Sequence, residues 1–488
     1  MAAADGPLRD YQSALDWLSD HIDLERLLGS PDAKPPTLDR MWTLMGVLGD
    51  PQDSVPAIHI TGTNGKGSTA QLTGALLGAC GLVAGGYTSP HIDRVNDRIT
   101  VANEPLDDES FAQAISEIAV IEPLVTERCG ERPNYFEVMA AAAYNWFASA
   151  AHVNVMEVGM GGRWDATNVV DAAVAVITNV SSDHLEIIGP TLADVAHEKA
   201  GIISAGATVV CGETDPELFD IVSAAAAAAE ADVWQRGVAW DVAQRRPAVG
   251  GQLLTVLTPF GEHADHFVPL HGAHQALNVA AAISSVEAFL ARRLNDEVIA
   301  AALDSLSLPA RFEITARQPT VVIDGAHNRA GAAALRATLA ETLLPEAAPP
   351  ARGPAGTGLA AAESEGSERR RADGALGVDA ASVLVIGMNA PHDPAAFCEA
   401  LGLESFDAVV ATAANWPRAL SPSVVAQAAR QVSESDGRRP LPDVVTAAGV
   451  AEAVATAQDR AAPRGVVVVT GSLYLAGEAR AALGAGAD

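Results

Sequence analysis

Two α/β domains, each built on a largely parallel sheet, are what this sequence predicts, on three observations. Short apolar runs of strand length alternate with helix-compatible stretches, the pattern of parallel strands buried on both faces. The alternation occurs twice, broken at Ser307-Leu-Pro-Ala310. The 488 residues, 49% of them hydrophobic, supply more than one core at the usual domain size.

In chain order, a polar helical opening (Tyr11 to Leu28) gives way at Gly29 to Pro36 to a loop, because three prolines and a glycine deny regular pairing. Val55 to Thr61 is the first strand. It ends in a glycine-rich turn and is followed by a helix over Ser68 to Leu77, a strand–turn–helix unit. Strands at Val153 to Val158, Val174 to Val180 and Ala207 to Cys211 are separated by helices over Phe111 to Ile121, Val138 to Ala148 and Leu192 to Gly201. Between Val233 and Val268 short alternating runs with Gly-Gly and Pro-Phe-Gly turns predict antiparallel strands at the edge of the same sheet. The second series comprises a strand Thr320 to Ile323, a helix Arg329 to Leu343, strands Val383 to Ile386, Ala408 to Thr412 and Gly465 to Thr470, and a final helix. The expected domains are therefore 1–308, a P-loop-type mostly parallel sheet with an antiparallel edge, and 309–488, smaller and Rossmann-like. Glu346 to Ala381 has too few large apolar residues to offset its ordering entropy and is expected to be a disordered insertion.

Charge excludes several functions. With 31 Lys+Arg against 61 Asp+Glu the net charge is −30, and so acidic a chain lacks the basic face that nucleic-acid binding requires. The first ten residues carry no cationic leader, and no apolar run reaches the roughly 18 to 20 residues that cross a bilayer. A cytoplasmic protein is expected. Cys80, Cys129, Cys211 and Cys398 are far apart, which predicts reduced, packed thiols instead of a metal knuckle or disulfide framework. No heptad or strand-edge association signal appears, so a monomer is expected.

The strongest chemical signal is Thr61-Gly-Thr-Asn64-Gly65-Lys66-Gly67-Ser68-Thr69. Glycines let backbone N–H groups close around phosphate oxygens, the following helix offers its positive end, Lys66 reaches terminal phosphates, and a hydroxyl suits Mg²⁺. Ile60 and Gly67 depart from a strict Walker A pattern, and a plain tight turn is the alternative. ATP is the expected ligand. Since a net charge of −30 repels ATP, the site must concentrate cations of its own. Glu157 ends a strand before the glycine-rich Gly159-Met-Gly-Gly-Arg-Trp-Asp-Ala-Thr-Asn168, and His184 lies just past another strand. Either residue alone is more often a cap; beside a phosphate turn both become metal-ligand candidates.

These residues carry a resemblance. GTNGKGST (62–69), TSPHI (88–92), EVGMGGRWDATN (157–168), SSDHLEIIG (181–189), HEKAGI (197–202), HQALNVAAA (274–282), PARFEI (309–314) and DGAHN (324–328) occur in the order found in the folylpolyglutamate synthase/dihydrofolate synthase family, a branch of the Mur ligase superfamily that the sequence resembles. The match continues through Trp416-Pro-Arg-Ala-Leu420 and Thr470-Gly-Ser-Leu-Tyr474. The resemblance implies two Mg²⁺ ions, one on Ser89 and Glu157 and one on His184; a lysine, Lys199, that is carbamylated in the superfamily, its pairing with Glu198 being the alternative; nucleotide contacts from Asn278, Arg311 and Asp324; and His327 near ATP and the incoming amine. It leaves open a monovalent cation. For the pterin and benzoate end it implies the segment at Leu38, the stretch Asn134-Tyr135-Phe136-Glu137, and Trp164-Asp165-Ala166. Phe136 could stack on an aromatic ring or belong to the core. The chain departs from the family at Pro35-Pro-Thr-Leu38, where bacterial bifunctional members carry an Asp-Leu-Gly-Leu type sequence, and at Pro391-His-Asp393, where Asp-Lys-Asp is usual.

The activity so implied is ATP-dependent amide formation. A carboxylate is a poor electrophile until phosphorylated; L-glutamate's amine then displaces phosphate. Lys66, Lys199 and His327 are the expected catalytic groups, and the cleft between the domains the expected place. Dihydropteroate, reduced folates and L-glutamate are the expected small-molecule partners. A muramyl-peptide ligase would need a UDP-sugar domain before the phosphate turn, for which the residues before Thr61 leave no room. A P-loop NTPase or small-molecule kinase would release phosphate without needing an amino acid, and a dead nucleotide binder would not turn ATP over.

Overall fold

Five consecutive buried residues, Ala57-Ile-His-Ile-Thr61, form β1, a strand with no solvent-facing side. Such a strand is stable only at the centre of a sheet covered on both faces. That is its place in the computed structural model, which describes residues 8–23, 37–182, 185–304, 306–344, 381–436, 442–461 and 463–485. The Gly29 to Pro36 loop, His184 and all but Ala381 of the expected insertion lie outside the described residues. The chain divides into two units between Leu308 and Pro309.

In the first unit β1 is joined by β2 (Ala84–Tyr87), β3 (Ile99–Val101), β4 (Glu104–Pro105), β5 (Val153–Glu157), β6 (Val174–Ile177), β7 (Thr208–Cys211) and β8 (Asp232–Gln235). The order is β4-β3-β2-β5-β1-β6-β7-β8. All pairs are parallel except those of β3 and β4, which make the antiparallel edge. Because successive side chains of a strand face opposite ways, Ile58 and Ile60 enter one core with the helices Lys66–Ala79 and Ala273–Leu290. Ala57 and Met156 enter another with the helices Asp108–Cys129 and Tyr135–Ala150.

The stretch from Val233 to Val268 corrects the sequence reading. Asp232–Gln235 is a parallel edge strand, paired with β7. The remainder forms a separate sheet of β9 (Asp241–Ala248), β10 (Gly251–Thr258) and β11 (Gly261–Val268). Its apolar face, Leu254, Val256 and Val268, is buried with the Ala273–Leu290 helix, so it needs no place at the main sheet's edge.

The second unit contains β12 (Glu313–Arg317), β13 (Thr320–Ile323), β14 (Ser382–Ile386), β15 (Ala408–Ala411), β16 (Asp443–Thr446) and β17 (Val466–Thr470), ordered β12-β13-β17-β14-β15-β16. Only β12 is antiparallel to its neighbour. All four cysteines are free thiols, Cys211 and Cys398 buried. No helix among the described residues is long and apolar enough to cross a membrane.

Candidate active site

The carboxyl ends of β2, β5, β1 and β6 are consecutive along the sheet, the edge at which open parallel sheets bind ligands. Each end delivers a loop that the sequence singles out: Ser89 after β2, Glu157 at the end of β5, the phosphate turn after β1, and Ser181 after β6.

The turn is fastened from β6. The Thr63 amide donates to the Asn179 carbonyl (3.0 Å) and the Asn64 amide to Asn179 Oδ1 (3.1 Å). The Asn64 carbonyl accepts from Thr178 Oγ1 (2.7 Å) and Asn179 Nδ2 (2.8 Å). Thr63 Oγ1 donates to the Ser181 carbonyl (3.0 Å). The helix begins at Lys66, and Lys66 Nζ donates to the carbonyls of Gly62 (3.0 Å) and Thr63 (3.3 Å), which holds the ammonium over the turn. Gly65 has φ +86°, and a Cβ there would lie 2.4 Å from Asn278 Oδ1, so the turn and Asn278 touch only because residue 65 is glycine. A Cβ on Gly67 would meet Glu157 Oε2 at 3.3 Å. The same Oε2 accepts from the Ser89 amide at 3.0 Å. Glu157, 3% exposed, thus lies between Ser89 and the start of the phosphate helix, where Ser68, next to Gly67 in the chain, is also buried. These are buried carboxyl oxygens facing a phosphate turn, a donor set that fits a divalent hard cation.

The glycine-rich loop is held differently. Asp165 Oδ1 accepts from the Thr167 amide (3.0 Å) and hydroxyl (2.6 Å), and Oδ2 from the Met160 amide (3.0 Å). Burial pushes this carboxyl's pKa up against those hydrogen bonds. Because Thr167 gives its proton to Asp165, His59 Nε2–H, 2.8 Å away, must donate to Thr167 Oγ1. Burial brings the His59 pKa down to about 3, which keeps the ring neutral. Its Nδ1 has no hydrogen-bond partner. Tyr144 Oη donates to the Thr167 carbonyl (2.6 Å) and Thr61 Oγ1 to that of Gly161 (2.7 Å). Glu198 supports the other end, its side chain accepting from the Trp164 amide (3.1 Å) and its carbonyl from the Arg163 amide (2.9 Å). Burial raises the Glu198 pKa. Its neighbour Lys199 is 3% exposed, with its Cα 3.1 Å from where a Gly162 Cβ would stand.

Phe136 lies against Gly159 and packs edge-on to Tyr87, with ring centroids 5.7 Å apart. Asn134 and Glu137 cap their own helix reciprocally. The Glu137 carboxylate also takes both prongs of Arg40 (2.9 and 3.0 Å), tying the Asp39–Leu48 helix that follows Leu38 to this segment. Tyr135 faces the buried Arg98, with the guanidinium carbon 5.3 Å from its ring centroid. Ala166 belongs to the core. Of the residues expected at the pterin end, Phe136 and Asp165 therefore share one place around Gly159, whereas Glu137 and Asp165 have their oxygens filled by protein donors and Ala166 packs inward.

In the second unit Asp324 directly follows β13 and accepts from the Phe312 (2.9 Å) and Ala326 (2.9 Å) amides. Arg311 approaches Gly325, whose carbonyl is 2.9 Å from His327 Nδ1, and the His327 and His392 rings are 5.3 Å apart. These three expected residues therefore form one group. The supports Asn179, Thr178, His59, Thr167 and Tyr144 were not anticipated. The one available signal was a histidine inside an otherwise apolar strand leading into the phosphate turn.

Residues 60–286 match the Mur ligase middle domain. The chain is 40% identical over 349 residues to the dihydrofolate synthase/folylpolyglutamate synthase of Mycobacterium tuberculosis, covering 67% of this chain and 71% of that relative. To the Bacillus subtilis protein of the same description it is 32% identical over 335 residues, covering 67% and 76%. Among solved structures, M. tuberculosis folylpolyglutamate synthase complexed with ADP and AMPPCP superposes with a TM-score of 0.81 at 34% identity, over 97% of this chain and 99% of that one. An Escherichia coli structure in complex with DHPP and ADP does so at 0.77 and 25% identity, over the whole of both chains. The chain belongs to the folylpolyglutamate synthase/dihydrofolate synthase family, ATP-dependent ligases that join glutamate to folate-type acids.

Proposed function

We propose that the chain performs both reactions of its family, adding the first glutamate to dihydropteroate and further glutamates to reduced folates, with the phosphate turn and Glu157 as the reacting centre. The observation that carries this reading is the Glu157 carboxylate, buried against the backbone of Gly67 and bonded to the Ser89 amide beside Lys66. Structures of relatives bound to ADP, AMPPCP and DHPP support it.

The turn's backbone amides and the positive end of the Lys66–Ala79 helix receive the triphosphate. Lys66 exchanges its two carbonyl partners for the terminal phosphate oxygens, where its charge opposes the negative charge that develops during transfer. The acid's carboxylate oxygen attacks the γ-phosphoryl group, giving an acyl phosphate and ADP. The amine of L-glutamate then attacks the acyl carbon, losing a proton as phosphate departs. Ser89 and Glu157, with His184 by resemblance, would hold Mg²⁺, which when bound supplies charge neutralisation on the phosphates. Phe136 and Trp164 offer aromatic faces to the pterin and benzoate rings, and Leu38 an apolar one. Asn134, Glu137 and Asp165 act by fixing the segments that carry those faces. Lys199, buried at 3% exposure, is assigned the carbamate. For Asn278, Arg311, Asp324 and His327 the assignment to nucleotide and incoming amine is retained.

ADP release from ATP and Mg²⁺, measured with L-glutamate and either dihydropteroate or tetrahydrofolate, tests the reading. Release that requires glutamate with both acceptors is expected, with ¹⁸O from the acid recovered in phosphate. Release indifferent to glutamate would indicate an NTPase and overturn it.

A further inference from the structure

β11 breaks its own alternation. His266 pairs with Leu254 and His263 with Val256, so Ala264 and Asp265 stand opposite the single residue Thr255. Asp265 adopts φ +55°, and its amide donates to Thr255 Oγ1 at 3.3 Å. A bulge of this kind re-aims side chains. Residues three apart in a regular strand face opposite ways; here His263 and His266 are both buried on one side. Asp296, which opens the helix Asp296–Asp304, meets them: Oδ1 is 2.9 Å from His263 Nδ1 and 3.3 Å from His266 Nε2. The three candidate ligand atoms all lie within 4.8 Å of one another, and no other three His, Cys, Asp or Glu side chains converge in this way among the described residues.

We propose that His263 Nδ1, His266 Nε2 and the Asp296 carboxylate form a binding site for a divalent transition-metal ion of the zinc type, separate from the reacting centre. Two imidazole nitrogens and one carboxylate are a zinc donor set, whereas magnesium prefers oxygen ligands throughout. Three protein ligands leave a fourth position for water, and Asp296, with a side chain 51% exposed, gives the ion a way in. A metal-binding histidine characteristically donates its second ring N–H to a carboxylate. Here that partner is Glu287, without solvent exposure, whose Oε1 is 2.9 Å from His263 Nε2 and which is itself fixed by the Leu294 amide (2.6 Å) and Thr258 Oγ1 (2.5 Å). That contact keeps the proton on Nε2 and directs the Nδ1 lone pair to the ion.

Burial lowers the His263 pKa, but the carboxylates hydrogen-bonded at both ring nitrogens outweigh it and raise it, and Arg293 Nη2 bonds both Asp296 oxygens (3.0 and 3.1 Å) and the Glu262 carbonyl (2.6 Å). Metal uptake therefore displaces the hydrogen-bonding protons of both ligating nitrogens, that of His263 Nδ1 to solvent and that of His266 Nε2 to the same ring's Nδ1, and moves Arg293 off Asp296; no bond other than these N–H and ionic contacts is broken. The ion would fasten β11 to the first turn of the helix Asp296–Asp304.

Zinc chloride titrated into the full chain against a chromophoric chelator, with Mg²⁺ and ATP present, tests this. One zinc equivalent is expected in the wild type, weakened at least about 100-fold in His266→Gln and in Asp296→Asn, weakened roughly 10- to 100-fold in Glu287→Gln, and tightened in Arg293→Gln. Glu157→Gln should keep that equivalent, and His266→Gln should keep its glutamate ligation. Cobalt(II) should give intense visible absorption in the wild type that Asp296→Asn lacks. Asp296 is half exposed, so that variant tests the site even if His266→Gln misfolds. The absence of any wild-type equivalent that these two variants lose, or its loss in Glu157→Gln, would overturn the proposal.

Discussion

The phosphate turn and the glycine-rich loop leave adjacent strands, β1 and β5, yet they are stabilised in opposite ways. The turn is clamped from outside by Thr178 and Asn179, so that the Lys66 ammonium, held by the carbonyls of Gly62 and Thr63, stays available to an anion. The loop is held from beneath by a neutral histidine, two hydroxyl donors and a buried carboxylate whose oxygens accept from the loop's own residues. One segment reserves its charge for the ligand; the other uses its charge to shape itself. A substitution in the first should therefore cost rate, and in the second stability and acceptor affinity.

Lys66→Ala gives the largest expected effect. We expect kcat to fall about 1000-fold, some 4 kcal/mol of barrier, while urea unfolding shifts by no more than about 0.5 kcal/mol. A comparable loss of stability would break the contrast. Next comes Asp165→Asn, which places an amide N–H₂ against the Met160 amide. Unfolding free energy should drop by about 1 to 3 kcal/mol, and the KM for the folate-type acceptor should rise while that for ATP is unchanged. An equal rise in both KM values would mean that the loop serves the nucleotide as well.

A smaller effect, and one that depends on pH, falls on His59. Its folded pKa of about 3 lies below the unfolded value near 6.5, so the unfolded chain takes up a proton first as pH falls. Stability from the neutral ring is complete above about pH 6.5 and lost as pH drops from there toward 3, by at most about 1.4 kcal/mol per pH unit. Wild type and His59→Gln should therefore converge in stability on acidification from pH 7 to 5; parallel pH profiles would show that folding does not lower the His59 pKa. The smallest expected effect is on the exposed Arg94–Asp108 pair, where Arg94→Gln should change stability by less than about 1 kcal/mol and leave turnover alone.

The sequence made the central strands legible because β1, β5, β6, β14 and β17 are short apolar runs buried on every residue. It did not reveal β2, whose Ala84-Gly-Gly-Tyr87 has little strand propensity and is held by its pairing with β5, nor β16, a half-exposed edge strand. The Val233 to Val268 region kept its antiparallel character but not its place, since alternation reports which face is buried and not which partner covers it. Motif residues such as Gly65 and Asn278, or Gly67, Glu157 and Ser89, do converge. Their supports were hidden because threonine, asparagine and tyrosine are ordinary residues in strands and loops, and only three-dimensional contact distinguishes them.

His59 and Thr61 lie two positions apart on one face of β1, and each anchors the glycine-rich loop, at Thr167 and at Gly161. Two residues of extended chain advance about 6.6 Å, a step set by covalent geometry. The same strand feeds the phosphate turn, so a single stretch of main chain works as a ruler between the turn and the glycine-rich loop. Loops elsewhere in the sheet can lengthen during evolution without altering that spacing, whereas a one-residue slip of β1 would misalign both ends at once.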